Sequence, residues 1–264
     1  MNTIEFLRSR HSVRRYTSQT LSDNICRKLR ASITMINTHE AGLHFELICD
    51  DPAPFDGFKA SYGMFHGVRN YIACVVDISF PNVCERAGYY AQQLVMEAVG
   101  MGLGTCYVGG TFNSGLVKVM LRADWKMLFI IALGYADVKQ QTFLSSLAMK
   151  IAHRHDRCAD DFFMEDEGIS LVEAKRMLPW LERGLQGLVS APSSLNRQPV
   201  RIKPTWCYGI SNRGDRVLTV KAILDRNFKD ALVDLGIGMY NFGFAASSGD
   251  WEWGSDSIFI PSPQ

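Results

Sequence analysis

The chain has 264 residues and a formal net charge of +1, with 28 lysines and arginines set against 27 aspartates and glutamates. That length holds one large domain or two small ones with ample core. The charge balance asks for neither nucleic acid nor an anionic membrane as partner, while a small anion in a local basic pocket stays compatible. The longest apolar run, residues 127–136, is far short of the roughly 20 residues of a membrane-spanning helix, and residues 1–10 carry no signal-peptide core. A soluble, cytoplasmic protein is expected. The seven cysteines are odd in number, scattered and without a Cys-x-x-Cys pair, which argues against a disulfide framework or a zinc ribbon. Cys49 and Cys74 lie in apolar runs and read as small core residues.

In chain order, residues 2–9 read as a short helix with Ile4 and Leu7 on one face. Arg10-His11-Ser12-Val13-Arg14-Arg15-Tyr16 then concentrates basic side chains. It is either a solvated basic turn or a phosphate cradle. In a cradle, Arg10 and Arg14 donate forked, charge-assisted hydrogen bonds and Ser12 adds a hydroxyl, each such bond being worth about 1.5–3 kcal/mol. Ser22 caps a predicted helix running to about residue 36, with Leu21, Ile25, Leu29 and Ile33 at four-residue spacing. Residues 44–49 alternate as a strand, and residues 71–77 form a continuous apolar run expected of a buried strand.

Residues 82–102 give the strongest helix, with Ala87, Ala91, Leu94, Val95, Ala98 and Val99 as a wide apolar stripe and Gly102 as its stop. The glycines over 100–110 are not a dinucleotide fingerprint, which must follow a strand and open a helix; these close a helix. They read as a tight turn between helix and strand. Residues 127–133 are another apolar strand, ended by Gly134. Residues 144–168 are polar. Their His153 and His155, two apart, would point to different faces of a helix, and no third ligand is evident, so no metal site is expected. The acidic residues Asp160, Asp161, Glu165, Asp166 and Glu167 read as a solvated face. Ser170 and Glu173 form a capping box opening a helix over 171–177, and Pro179 starts the next helix, which ends near residue 189.

That helix delivers Ala191-Pro192-Ser193-Ser194-Leu195-Asn196-Arg197-Gln198-Pro199. The two prolines fix their own φ and push the residues before them out of the α region. Ser193, Ser194 and Asn196 can satisfy backbone groups locally or aim hydrogen bonds at a ligand. The segment is thus a turn that caps the preceding helix or a ligand loop. Residues 200–208 and 216–220 read as strands joined by a turn at 212–215. A second long helix over 228–248 and a last strand over 257–260 follow.

The pattern Ala-Pro-Ser-Ser-x-Asn-x-Gln-Pro at 191–199 resembles a signature of the FMN-dependent nitroreductase family, and the basic run at 10–16 resembles its second signature. The resemblance implies that Arg10, His11 and Ser12 lie on the phosphate and ribityl side of an FMN and Arg14 near N1 and O2 of its ring. A cation there stabilises the reduced ring. It also implies that the backbone of Val108, Gly109 and Gly110 approaches the flavin edge. Pro192, Ser193, Ser194, Asn196 and Gln198 would lie against the flavin. Basic residues soon after Gly134 reach the phosphate in dimeric relatives; here only Lys139 is near. The family motif continues with Trp where this chain has Val200.

The two halves echo each other weakly, and the chain resembles the subgroup in which two nitroreductase-like halves are fused. The expected class is α+β: a nitroreductase-like fold in two pseudo-symmetric halves, each with a mostly antiparallel or mixed sheet flanked by helices. The expected boundaries are 1–145 and 170–264, with 146–169 connecting. One copy of each signature implies one FMN per chain, so a monomer suffices and a dimer is not required. The resemblance further implies that NADH or NADPH reduces the flavin, whose N5 carries the hydride to a nitro compound, quinone or similar small-molecule substrate. No side chain is then the catalytic group. A flavin-binding protein without NAD(P)H turnover is the alternative, and a scaffold acting by protein contact a third.

Overall fold

The computed structural model describes residues 2–56, 63–119, 124–137, 157–208, 216–246, 249–254 and 257–261. Along the chain lie α1 (Thr3–Ser9), α2 (Asp23–His39), β1 (Leu43–Ile48), β2 (Asn70–Asp77), α3 (Val83–Gly100), β3 (Gly104–Val108) and β4 (Trp125–Gly134). Then come α4 (Leu171–Met177), α5 (Leu181–Val189), β5 (Val200–Cys207), β6 (Val217–Leu224), α6 (Ala231–Ala246), β7 (Asp250–Glu252) and β8 (Ser257–Ile260). The strands form two antiparallel four-stranded sheets, ordered β1-β2-β4-β3 and β5-β6-β8-β7. The strand order is the same in both, as the α+β two-half expectation requires. Each sheet belongs to its own compact unit. The first-sheet unit is Ser9–Val83 with Gln93–Ala148; the second-sheet unit is Met1–Arg8, Cys84–Gln92 and Met149–Gln264.

In the first-sheet unit β2 is the central strand, and seven of its eight residues are buried, which is why it reads as an unbroken apolar run rather than an alternating one. The Ser22 hydroxyl accepts from Ile25 N–H and starts α2, whose buried face is Cys26, Leu29, Ile33 and Ile36. Asn37 on α2 clamps β1: its amide donates to Phe45 O and accepts from Phe45 N–H, both at 2.8 Å. Asp51, buried, accepts from the Tyr71 hydroxyl at 2.7 Å and pairs with Lys118 at 3.2 Å. Cys74 is core, as expected, but Cys49 is only partly covered and faces Cys26 with 3.7 Å between sulfurs.

In the second-sheet unit Trp180, Phe242, Trp251 and Phe259 form an aromatic core, with Trp180 and Phe259 centroids 4.8 Å apart. The α6 helix packs backbone to backbone on residues 84–92. A Cβ on Gly236 would collide with Glu85 O, and one on Gly88 with Val233 O. Small residues at this crossing let Gln92 reach Asn241 (2.9 Å), which in turn donates to Gly187 O on α5 at 3.3 Å. The capping box forms as expected: Ser170 Oγ accepts from Glu173 N–H, and Glu173 accepts from Ser170 N–H. The acidic segment is more than a solvated face. Asp160 pairs with Lys175 at 2.6 Å and Asp166 with Lys203 at 3.3 Å.

The edge strands β3 and β7 were not expected: the glycines over 100–110 read as a tight turn, and residues 250–252 fell between the predicted helix and the last strand. Lys139, His153, His155 and the turn at 212–215 lie outside the described residues.

Candidate functional site

The basic signature in the first-sheet unit is not a turn. It runs as an extended thread between β3, the end of β4 and residues 63–69. Ser12 bridges Thr105 in parallel, and Val13 N–H donates to Thr105 O at 2.9 Å. Tyr16 N–H donates to His66 O (3.0 Å), His66 N–H to Arg14 O (2.9 Å), and Thr17 N–H to Tyr135 O (2.9 Å). The buried Tyr16 hydroxyl donates to Val13 O at 2.7 Å, with Ala132 O at 3.2 Å. Gly67 makes this threading possible: its φ is +70°, and a Cβ there would overlap Tyr16 O. Gly104 likewise leaves room for Val13.

Backbone pairing thus fixes the thread and leaves its side chains to the site. Arg10 Nε is buried, with no hydrogen-bond partner among the described residues. Burial pulls the Arg10 pKa below its ordinary value, opposed by Tyr107 and Cys106 nearby. Burial raises the Cys106 thiol, against Arg14, a hydrogen bond from Ser12, and Arg10. Three of the signature residues therefore converge on β3, next to the stretch that ends in Val108, Gly109 and Gly110. His11 is exposed, with Nδ1 3.2 Å from Ser9 O. Neither Gly109 nor Gly110 has a positive φ, and a Cβ on either would meet nothing within 4 Å. Their missing side chains are not required by the described residues of this chain.

The second signature, in the second-sheet unit, leaves α5 and makes a short turn over Ser194–Asn196. Leu195 (φ 53°), Asn196 (φ 53°) and Gln198 (φ 48°) are all left-handed without being glycine. Such residues cost on the order of 1–3 kcal/mol each and persist only where the surroundings impose them. Side chains impose them here. Asp234 on α6 accepts from Ser194 N–H at 2.9 and 3.1 Å. Ser193 Oγ accepts from Gln198 N–H at 2.8 Å, and the Gln198 amide donates to Val189 O at 3.4 Å. Arg201 donates to Gln198 O at 2.9 Å and pairs with Asp225. Ser193 and Gln198 thus have work within the loop. Leu195, by contrast, is 83% exposed.

Asp234 was missed by the sequence reading. Burial pushes its carboxyl up to about 7, Asp230 adding to the rise while the Ser194 N–H and Arg197 oppose it. A signal existed: it is the one charged residue of α6, ALVDLGIGMYNFGFAA. Arg201, nearly buried with its partner Asp225, was also missed. No group of three or more metal-ligating side chains occurs among the described residues, and no described helix is long and apolar enough to cross a membrane.

Paired antiparallel sheets of identical strand order, each carrying one signature, define an α+β protein of nitroreductase fold. A family model described as "Putative TM nitroreductase" matches residues 2–246, and the chain belongs to that family. In fold it is similar to a solved "putative nitroreductase" from Thermotoga maritima, at 19% identity and a TM-score of 0.60, covering 100% of this chain and 95% of that one. An FMN-dependent nitroreductase from Clostridium difficile (18% identity, TM-score 0.42) covers 54% of this chain and 92% of its own. A solved "putative nitroreductase in complex with fmn" from Desulfovibrio desulfuricans (22% identity, TM-score 0.41) covers 55% of this chain and 95% of its own. No curated protein matches the sequence.

Proposed function

We propose that the protein is an FMN-dependent oxidoreductase that takes hydride from NADH or NADPH and passes it to a nitro compound, quinone or similar acceptor. The observation that carries this reading is Arg10, a guanidinium whose buried Nε lacks a partner, in the segment where the family signature expects a phosphate. A buried cationic donor left unmet is costly alone and suited to an anion. The open space beside Gly109 and Gly110 fits the close approach of a flat ligand to backbone.

In this reading Arg10, His11 and Ser12 would hold the phosphate and ribityl chain, and Arg14 would set a positive charge beside the ring. The backbone of Val108, Gly109 and Gly110 would line its edge, and Pro192, Ser193, Ser194, Asn196 and Gln198 would cover it. FMN, when bound, supplies the hydride chemistry at N5. The chain supplies binding charge, orientation and exclusion of water, with Asp234 positioning the covering loop through Ser194 N–H. The test is preparative: the purified protein should be yellow, bleach anaerobically with NADH or NADPH, and recolour on adding a quinone or nitroaromatic. A colourless protein that takes up no added FMN would end the proposal. A yellow one that NAD(P)H cannot bleach would leave a flavin-binding protein without turnover.

A further inference from the structure

Next to the 191–199 loop, within the second-sheet unit, lies an open cavity of about 540 Å³. Arg157, Arg197 and Arg226 line it, with the turn at 195–198 and one carboxylate, Asp161. Two of the guanidiniums and a neighbouring one are held by aromatic faces rather than by enough acids. Arg197 lies 4.6 Å from the Phe228 centroid, and Arg157 (6.0 Å) and Arg201 (5.5 Å) share the Phe162 ring. Arg226 pairs with Asp225 at 3.1 Å, but Asp225 also serves the nearly buried Arg201. Among the described residues these four arginines face Asp161 and Asp225, and Asp234 also lies within electrostatic reach of Arg197. Burial lowers the Arg201 pKa; Asp225 opposes it, and Arg157 and Arg226 add smaller depressions, the mark of their repulsion. An under-neutralised cluster of forked donors around a cavity is the arrangement that a multiply charged oxyanion relieves.

We propose that this cavity is a phosphomonoester site. A monoester carries about −1.5 to −2 at neutral pH, which matches the excess of guanidinium over carboxylate at the cavity wall. Asp161 narrows the class further. It repels a bare anion, but a carboxylate can accept from a hydroxyl or amine, so the ligand carries such a donor near its phosphate, as a nucleotide ribose does. The cavity is large enough for more than phosphate alone, within the range of small-ligand pockets. Resting on the hydride-transfer reading above, the geometry points to the 2′-phosphate of NADPH as the source.

The experiment is calorimetric titration of the FMN-loaded full chain with NADP⁺, NAD⁺ and inorganic phosphate. NADP⁺ and NAD⁺ differ only in the phosphomonoester, and neither needs turnover to be read. NADP⁺ should bind at least about tenfold more tightly than NAD⁺, the value of one charge-assisted phosphate contact, and the difference should shrink with added salt. Arg226→Gln and Arg197→Gln should each remove most of that difference and leave NAD⁺ binding alone, while Arg226→Lys should restore part of it. If inorganic phosphate binds through the arginines but NADP⁺ is no better than NAD⁺, the site stands and the nicotinamide source falls. Absence of any arginine-dependent binding by phosphate and NADP⁺ overturns the site. A chain that binds NADP⁺ through these arginines yet never oxidises NADPH would keep the site and refute the oxidoreductase reading instead.

Discussion

The two signature segments are held in opposite ways. Residues 10–17 are fixed by backbone hydrogen bonds to Thr105, His66, Tyr135 and Asp137, as an extra strand would be. Residues 191–199 are bent into left-handed turns and fixed by side chains, namely Asp234, Ser193 and Arg201. In the first, the backbone does the holding, and one buried side-chain donor, Arg10 Nε, is unmet among the described residues. In the second, several of the motif's own polar groups are spent on shape. A motif residue in the basic thread can therefore serve a ligand directly, whereas one in the loop can matter because it keeps the backbone in place. Each of the following changes probes that contrast.

The largest effect should come from Gly67→Ala, which strikes the backbone mooring of the thread. The φ of +70° and the overlap with Tyr16 O together predict a loss of about 3–4 kcal/mol, read as a drop in the denaturation midpoint. A near-neutral result would show that the thread is not anchored through Tyr16 and His66. Next is Arg10→Ala. FMN affinity should fall about 100-fold, equivalent to roughly 3 kcal/mol, while the melting temperature of the flavin-free protein holds or rises because an unsatisfied buried donor is gone. Lowered apo stability with unchanged FMN content would make Arg10 a structural residue only.

For the loop, Asp234→Asn should show the reverse division, with stability and its pH dependence changing before any ligand contact does. The Asp234 carboxyl is raised to about 7 from 3.8, so the folded state holds the proton more tightly than the unfolded one. Its contribution is complete below about pH 4, declines as pH climbs, and is gone above about 7, a span on the order of 4 kcal/mol. Asp234→Asn should flatten that decline in denaturation curves taken between pH 4 and 8. Asp234→Ala, which also strips the acceptor from Ser194 N–H, should cost about 2 kcal/mol more than Asp234→Asn, and like it should lose the wild-type pH slope. Identical pH slopes in wild type and Asp234→Asn would assign the titration elsewhere.

Much of the fold was legible where a single period dominates: Leu29 and Ile33 on α2, the unbroken run of β2, the Ser170–Glu173 box. β3 and β7 were not, because each is a short edge strand beside glycines, and Gly104 is present to admit Val13 from a distant stretch of chain. Local sequence does not encode that neighbour. The candidate site was legible as two motifs and illegible as a mechanism of support. Asp234 acts across 40 residues on Ser194, and its only local mark is being a lone charge in an apolar helix. The left-handed turn at Leu195 left no mark at all, since leucine seldom adopts it.

That leucine gives the smallest and most diagnostic change. At φ 53° and 83% exposed, Leu195 pays conformational strain while burying almost nothing. Left-handed backbone costs a non-glycine residue about 1–2 kcal/mol, and glycine returns roughly 0.5–1 of that through its greater freedom when unfolded. Leu195→Gly should therefore stabilise the protein by about 0.5–1 kcal/mol. Because so exposed a side chain is retained in so strained a place, turnover is the second readout: if the leucine covers bound ligand, Leu195→Gly should raise KM for the acceptor while the denaturation midpoint goes up. A stabilised variant with unaltered kinetics would confine the strain to folding, and a destabilised one would mean that the turn is not imposed by Asp234, Ser193 and Arg201 as described.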